Sequence, residues 1–331
     1  MRLSNLRFDP FLAALIATAA LATVLPCSGR FAAIMAVLTN GGIALLFFLH
    51  GARLSRQAIL AGIGAWKIHA LALATTFLFF PALGVTLRAV SHGWLDPAIA
   101  DGLLFLCLLP STVQSSIAFT SIARGNVPAA VCSASASNVL GIFITPVLTG
   151  LLLGAKSGGF SLHALVAIVC QLLLPFAIGH LSRRLTGGFL DRHRKIIGKV
   201  DRGAILLVVY TAFSAAVVEG LWRSYRLADL AWTVALNAAI LALALVFTTW
   251  AARQAGLSTA DETAVVFCGS KKSLASGVPM AGVLFPPAQL GPMILPLMLF
   301  HQMQLMVCAV LAQRYGERDD GPGKSAKPPE R

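Results

Sequence analysis

The chain has 331 residues, of which 57% are hydrophobic and only 12% are charged, and its formal net charge is +13 at pH 7. Soluble domains carry about 25% charged residues, so this composition excludes a soluble protein and indicates one that lies in the lipid bilayer. The basic residues stand between apolar runs without interleaved aromatic residues, which excludes a nucleic acid as partner.

Ten apolar segments are predicted to be transmembrane helices, because segments of about 20 apolar residues cross the hydrocarbon core. In chain order they are residues 11–26, 31–50, 68–90, 102–123, 127–153, 162–181, 203–221, 230–250, 263–285 and 290–311. The N-terminal segment has the basic start of a signal peptide but a poor cleavage pattern, so we expect it to be retained. Residues 315–331 are polar and are predicted to form a disordered tail.

The distribution of lysine and arginine predicts the orientation in the membrane. With the N-terminus inside, 19 of these residues lie in inside segments and five in outside segments. Basic loops favour the cytoplasmic side, so both termini are predicted to be cytoplasmic. The compact length and short loops are typical of a bacterial protein, which places it in the cell inner membrane.

Residues 1–155 and 156–314 hold five predicted spans each. Because five is odd, the two halves would enter the membrane with opposite topology, as inverted repeats do. The predicted fold is therefore an all-α polytopic membrane protein. It has ten transmembrane helices in two inverted five-helix repeats, with broken, crossing helices four and nine.

The fourth and ninth spans are interrupted by polar residues at corresponding positions of the two halves. The first interruption centres on Pro110 to Ser116, and the second on Gly269 to Ser273. Backbone groups freed in hydrocarbon must find partners inside the protein or at a water-filled cavity. Such matched interruptions indicate the binding site of a secondary transporter.

The candidate substrate- or ion-binding residues are polar side chains in or near these breaks. Ser133 and Ser137 share one face of the fifth span, and His301 belongs to a polar cluster with Gln302 and Gln304 in the tenth. Helix packing through interhelical hydrogen bonds is the alternative interpretation of these side chains. The candidates are Thr112, Gln114, Ser115, Ser116, Ser133, Ser137, Asn138, Ser270, Lys271, Lys272, Ser273, His301 and Gln302.

Lys271 and Lys272 are charges deep within a predicted span, where a charge is costly and faces a cavity or a partner. They would hold an anionic substrate or stand in for a bound cation. Alternatively, one of them neutralises carbonyl groups left by the break. Adjacent side chains point apart on a regular helix, so both face one site only if the backbone is unwound.

Several short motifs accompany the two breaks. They are the Ala-Arg-Gly-Asn-Val turn at 123–127, Ile-Thr-Pro at 144–146, Leu-Asn at 236–237, residues 269–275 and Phe-His-Gln at 300–302. Together with the first break they resemble the bile acid:sodium symporter family, that is, the sodium/bile acid cotransporters. The resemblance covers nearly the whole chain, from the first span to Leu311. It implies ten helices, core and panel domains each drawn from both repeats, helices that cross at the breaks, and alternating access.

The chain departs from the family at the residues that bind sodium. Family members with sodium sites have Glu and Gln in the ninth-span break, where this chain has Phe267 and Lys271. Two hydroxyl positions of the fifth span align with alanines 130 and 134. The resemblance therefore indicates a divergent branch, in which a sodium ion would lie near Ser115 and Ser116.

The predicted function is secondary active transport of a small organic anion or amphipathic solute by alternating access. One alternative is a sodium-coupled symporter with a sodium site made only of oxygen ligands. Another is a non-transporting membrane regulator or sensor on the same scaffold. Catalysis is not expected, because the spans contain no metal-spaced histidine cluster and no carboxylate pair, and no cofactor other than Na+ is expected.

Overall fold

The computed structural model describes residues 10–53, 64–154, 172–218 and 226–318. Within these ranges the chain is helical with short connections and contains no β-strand. The helices are α1 (Pro10–Val24), α2 (Gly29–Arg53), α3 (Trp66–Ala74), α4 (Phe80–Val90), α5 (Pro97–Leu108), α6 (Gln114–Ile122), α7 (Val127–Leu153), α8 (Leu174–Arg192), α9 (Arg194–Val218), α10 (Leu227–Gln254), α11 (Thr259–Gly269), α12 (Leu274–Leu284) and α13 (Pro287–Gly316). A π-helical turn, Thr75–Phe79, joins α3 and α4 into one continuous helix.

Five helices in the described ranges are long and apolar enough to cross a membrane. They are α2, the continuous α3–α4 helix, α7, α10 and α13. Two shorter apolar helices lie within α1 and α5. Helix α5 is apolar except for Asp101 and is buried along most of its length, as expected of a helix surrounded by other helices.

Each predicted span except the sixth corresponds to a described helix or to a pair of half-helices. The fifth predicted span coincides with α7, and the fourth and ninth each divide into two helices as expected. The first half of the sixth span, residues 162–171, lies outside the described residues, and α8 begins at Leu174 in its second half. Helix α13 ends at Gly316, two residues into the segment that the sequence predicts to be a tail, and the buried Tyr315 donates a hydrogen bond of 2.6 Å to Oε1 of Glu262.

Corresponding helices of the two predicted halves make corresponding contacts. Helix α4 packs on α5 and α10 on α11, while α13 packs on α5 and α7 on α11. Ion pairs follow the same pattern: Arg88 at the end of α4 binds Asp101 on α5 at 2.7 Å, and Arg253 at the end of α10 binds Glu262 on α11 at 3.0 Å. A two-fold relation between the predicted halves would produce these pairs.

A separate layer is formed by α1, α2, α8 and α9, in which α1 packs on α9 and α8 on α2. The contact between α2 and α8 depends on two glycines. A Cβ atom on Gly51 would overlap the carbonyl oxygen of Phe176, and one on Gly179 would overlap the carbonyl oxygen of Phe48. Small residues allow such close backbone contact between apolar helices.

Candidate functional site

The two breaks meet directly inside the helix bundle. The amide of Ser273 donates a hydrogen bond of 2.9 Å to the carbonyl oxygen of Pro110. The hydroxyls of Ser111 and Ser116 donate to the carbonyls of Cys268 and Phe267 at 2.5 and 2.7 Å. These carbonyls lie in the last turn of α11, where intrahelical partners run out. The first break therefore caps the half-helix that leads into the second.

Helix α7 fixes this crossing through two of its predicted site residues. The hydroxyl of Ser137 accepts a hydrogen bond of 3.0 Å from the amide of Ser111. The Asn138 amide donates to the Ser111 carbonyl at 2.6 Å, and its oxygen accepts from the Ser276 hydroxyl at 2.7 Å. Asn138 thus connects the first break with α12.

A cluster of hydroxyls lies where α6 begins. Thr112 Oγ1 shares hydrogen bonds of 2.6 Å with Ser115 Oγ and 3.1 Å with Ser116 Oγ. We call these three residues the hydroxyl cluster. It includes the two residues near which the sequence predicted sodium. The Lys271 ammonium lies beside it and donates to the Ser115 carbonyl at 2.9 Å.

The side chain of Lys271 is fully buried between α6 and α11. Its Nζ lies 4.0 Å from the ring centroid of Phe119 and 5.2 Å from that of Phe267. A cation over an aromatic face gains about 2 kcal/mol or more when both are desolvated. Two rings and one carbonyl therefore take the place of water around this charge.

Lys272 is also fully buried, but it points to different neighbours. Its Nζ donates to three backbone carbonyls, those of Thr76 at 3.0 Å, Cys107 at 3.0 Å and Leu109 at 2.7 Å. The ring centroid of Phe80 lies 4.0 Å from the same nitrogen. An ammonium has three N–H donors, so all are used on the backbone. We call these three carbonyls the carbonyl cage.

The cage has two sources of free carbonyls. In the π-helical turn, the amide of Phe80 donates to the carbonyl of Thr75. In the same pattern the carbonyl of Thr76 would accept a hydrogen bond from the amide of residue 81. Residue 81 is proline and has no N–H, so this carbonyl is left without a helical donor. At the end of α5 the amide of Ser111 turns to Ser137 and leaves Cys107 without its helical donor. Helix C-termini carry partial negative charge, which favours a cation at the end of α5.

The backbone is unwound at residues 270–273. Unwinding is the condition under which both lysines could face one site, yet the two ammonium groups lie in separate environments. Gln304 holds the unwound strand. Its side-chain oxygen accepts from the Lys272 amide, and its Nε2 donates to the Lys272 carbonyl, both at 2.9 Å. Nε2 also donates to Nδ1 of His301 at 2.9 Å, so His301 reaches the break through Gln304.

Other predicted residues serve local structure or lie apart from the crossing. Ser270 donates to the Val266 carbonyl within α11 at 2.6 Å, and Ser273 caps α12 by accepting from the Ser276 amide at 3.1 Å. The side chain of Gln114 is exposed on α6. The remaining two carry buried oxygens without a hydrogen-bond partner in the described part of the chain, and they are Ser133 and Gln302.

The groups that receive the two lysines were not predicted from the sequence. Thr76 and Phe80 lie in the third predicted span and Phe119 looks like an ordinary lipid-facing or core residue, whereas Phe267 stood out only as the residue in place of the family's Glu. A signal for the cage was present, since Pro81 within an apolar helix frees a carbonyl upstream. Nothing in the sequence indicated that the freed carbonyl would face Lys272.

The ion pairs of the described ranges are made by arginines at or near helix ends, and they do not involve the two lysines. Apolar helices around two broken helices whose polar ends meet inside the bundle define an integral membrane transporter. The sequence profile of the SBF-like CPA transporter family (DUF4137) matches residues 9–317, and the chain belongs to this family. The predicted resemblance to the bile acid:sodium symporters is thereby confirmed.

Relatives from bacteria and animals match most of the chain. The chain is 59% identical to an uncharacterized protein of Pseudomonas aeruginosa, PA2026, over 98% of each chain. It is 52% identical to the candidate symporter YfeH of Escherichia coli (strain K12), over 93% of this chain and 92% of that one. It is 27% identical to sodium/bile acid cotransporter 7 of Rattus norvegicus, over 81% and 80% of the two chains.

Proposed function

We propose that the protein is a secondary active transporter of the inner membrane. It carries a small organic anion or amphipathic solute by alternating access, on ten spans arranged as two inverted five-helix repeats. Family membership supports the transport role. The matched helix pairs and the matched ion pairs of Arg88 and Arg253 support the repeat. The distribution of basic residues supports cytoplasmic termini.

The observation that carries the proposal is the crossing itself, where the Ser273 amide binds the Pro110 carbonyl. Helices α6 and α12 begin at this crossing, and helix N-termini favour anionic groups. A substrate anion would lie near these N-termini beside the hydroxyl cluster. Ser133 and Asn138 on α7 would complete the polar lining.

We assign different roles to the two lysines. The three N–H donors of Lys272 are occupied by the carbonyl cage, so its charge neutralises backbone at the break. The Lys272 ammonium thus occupies the place that a cation from solution would otherwise take at these carbonyls. Lys271 has one described hydrogen bond, to Ser115, and stands beside the hydroxyl cluster. Lys271 is therefore the lysine that we assign to the substrate anion.

Sodium coupling is the second candidate function, favoured by the name of the relative sodium/bile acid cotransporter 7 and by the hydroxyl cluster. The described residues contain no group of three His, Cys, Asp or Glu side chains that could hold a metal. A sodium ion would thus depend on hydroxyl and carbonyl oxygens. The Lys271 ammonium beside them opposes this, because like charges at low dielectric repel strongly.

Melting temperatures in sodium, potassium and choline chloride at equal ionic strength separate the two candidates. An ion that binds only the folded state at ten times its Kd stabilises it by about 1.4 kcal/mol. We expect equal melting temperatures in the three salts. A rise specific to sodium, kept in Lys271→Gln, would instead establish the oxygen-only sodium site.

Solute counterflow in proteoliposomes tests transport of organic anions directly. We expect Lys271→Met to weaken uptake of a transported anion at least tenfold, because a desolvated charge contact is lost. Lys67→Met is the matched control, since Lys67 is exposed on α3. Clear binding of anions without any counterflow would favour the non-transporting regulator.

A further inference from the structure

A cavity of about 880 Å³ lies between α10 and α13, near the ends of both helices. None of the candidate substrate residues lines it. Six of its lining residues matter here, and they are Val246, Trp250, Arg253, Met306, Val310 and Arg314. We call this cavity the α10–α13 groove. Its lining comes from α10 and α13 and includes no residue of the two breaks, so the groove is separate from their crossing.

The groove combines an apolar wall with a basic end. The wall is open to the surroundings of the protein, since Val246 is 67% exposed and Trp250 57%. In an integral membrane protein, such open apolar side chains face lipid tails. Arg253 and Arg314 stand in the last turns of α10 and α13, where each helix leaves the apolar region. A tryptophan near that level is typical of the membrane interface.

The basic end carries an excess of positive charge. The Arg253 guanidinium binds both oxygens of Glu262, at 3.0 and 3.2 Å, and Tyr315 also donates to this carboxylate. Arg314 makes no ion pair with a carboxylate in the described ranges. Arg253 is therefore paired with Glu262 at the mouth of the groove, whereas the guanidinium of Arg314 is open to an external anion.

We infer that the α10–α13 groove binds one anionic phospholipid. Its phosphate lies between Arg314 and Arg253, and an acyl chain follows Val246 and Val310 along the wall. Basic pockets between transmembrane helices on the cytoplasmic side are suited to such headgroups. A lipid fits better than a soluble anion, because the wall is continuous with the surface that faces the bilayer. The inference does not depend on which solute the protein carries.

Native mass spectrometry of the detergent-purified protein tests this inference. Phosphatidylglycerol and phosphatidylcholine with identical acyl chains are the two probes. We expect selective retention of phosphatidylglycerol. Arg314→Gln lowers that retention roughly fivefold, the contribution of one basic residue near an anionic surface. Arg314→Lys keeps most of it, because the charge remains.

The matched control is Arg184→Gln on α8, an exposed arginine that does not line the groove. We expect it to leave retention unchanged. Val246→Trp leaves every charge in place and fills the wall, so it should also reduce retention of phosphatidylglycerol. Equal retention of the two lipids would overturn the inference, as would an equal effect of Arg184→Gln and Arg314→Gln. Displacement of the lipid by a soluble bile salt would assign the groove to a solute instead.

Discussion

Ser133 and Ser137 show how differently two similar residues on one helix can act. Both are buried on α7 and lie one turn apart. The Ser137 hydroxyl satisfies the amide of Ser111, whereas the Ser133 hydroxyl has no partner in the described part of the chain. A buried polar group without a partner is costly and often marks a place where a ligand or water binds.

We predict that replacing these two serines by alanine affects different properties, stability for Ser137 and substrate binding for Ser133. Ser137→Ala should destabilise the protein by about 1–3 kcal/mol, because the Ser111 amide loses its partner. Ser133→Ala should leave the melting temperature unchanged or higher, since no hydrogen bond is lost, while it weakens substrate binding. Thermal melting of both variants in the same detergent measures the first effect, and counterflow the second. Equal destabilisation by both changes would contradict this assignment.

At the residue scale, the sequence predicted which polar groups lie near the breaks but not their partners. Ser111, Thr112 and Asn138 could be placed there because they belong to, or pack beside, an interrupted apolar helix. The destination of the Lys272 ammonium could not be predicted. It depends on a carbonyl that Pro81 frees in another helix, and on the position of that helix in three dimensions.

At the scale of single helices, the sequence predicted the breaks well because their causes are local. Leu109 has extended φ and ψ values of −76° and 155°, as expected of a residue before proline, and α5 ends there. Residues 182–202, which connect the sixth and seventh predicted spans, are helical as well, with only His193 between α8 and α9.

We predict that the contact between α2 and α8 tolerates no side chain at Gly179. Gly179→Ala should lower stability by about 1–3 kcal/mol, because overpacking forces two backbones apart. Gly188→Ala is the control on the same helix, since a Cβ there meets nothing within 4 Å. Alanine favours helix relative to glycine, so this control should be neutral or stabilising. Thermal melting of the two variants checks the difference, and similar losses in both would refute it.

At the scale of the whole molecule, the helical fold and its membrane location followed from composition and span length. The inverted repeat remains a prediction, supported by the matched helix pairs. Residue similarity between the halves is too weak to reveal the repeat, because packing in lipid requires only apolar and small side chains. The layer of α1, α2, α8 and α9 was predictable only through the family resemblance.

We predict that the C-terminal end of α13 lies in the cytoplasm. A fluorescent protein fused after Arg318 should fluoresce, and alkaline phosphatase fused at the same position should be inactive, because the phosphatase folds only outside the cytoplasm. Fusions after His92, in the turn between α4 and α5, should give the reverse result. A phosphatase active after Arg318 would invalidate the predicted orientation.

The bond between Ser273 and Pro110 has a consequence for how such proteins diversify. It joins the two halves through backbone atoms alone, so any residue except proline at position 273 can make it. Replacing the side chain at position 273 therefore leaves this bond in place. Under the roles proposed above, a change at Lys271 would alter the preferred solute while this backbone bond between the halves stays in place.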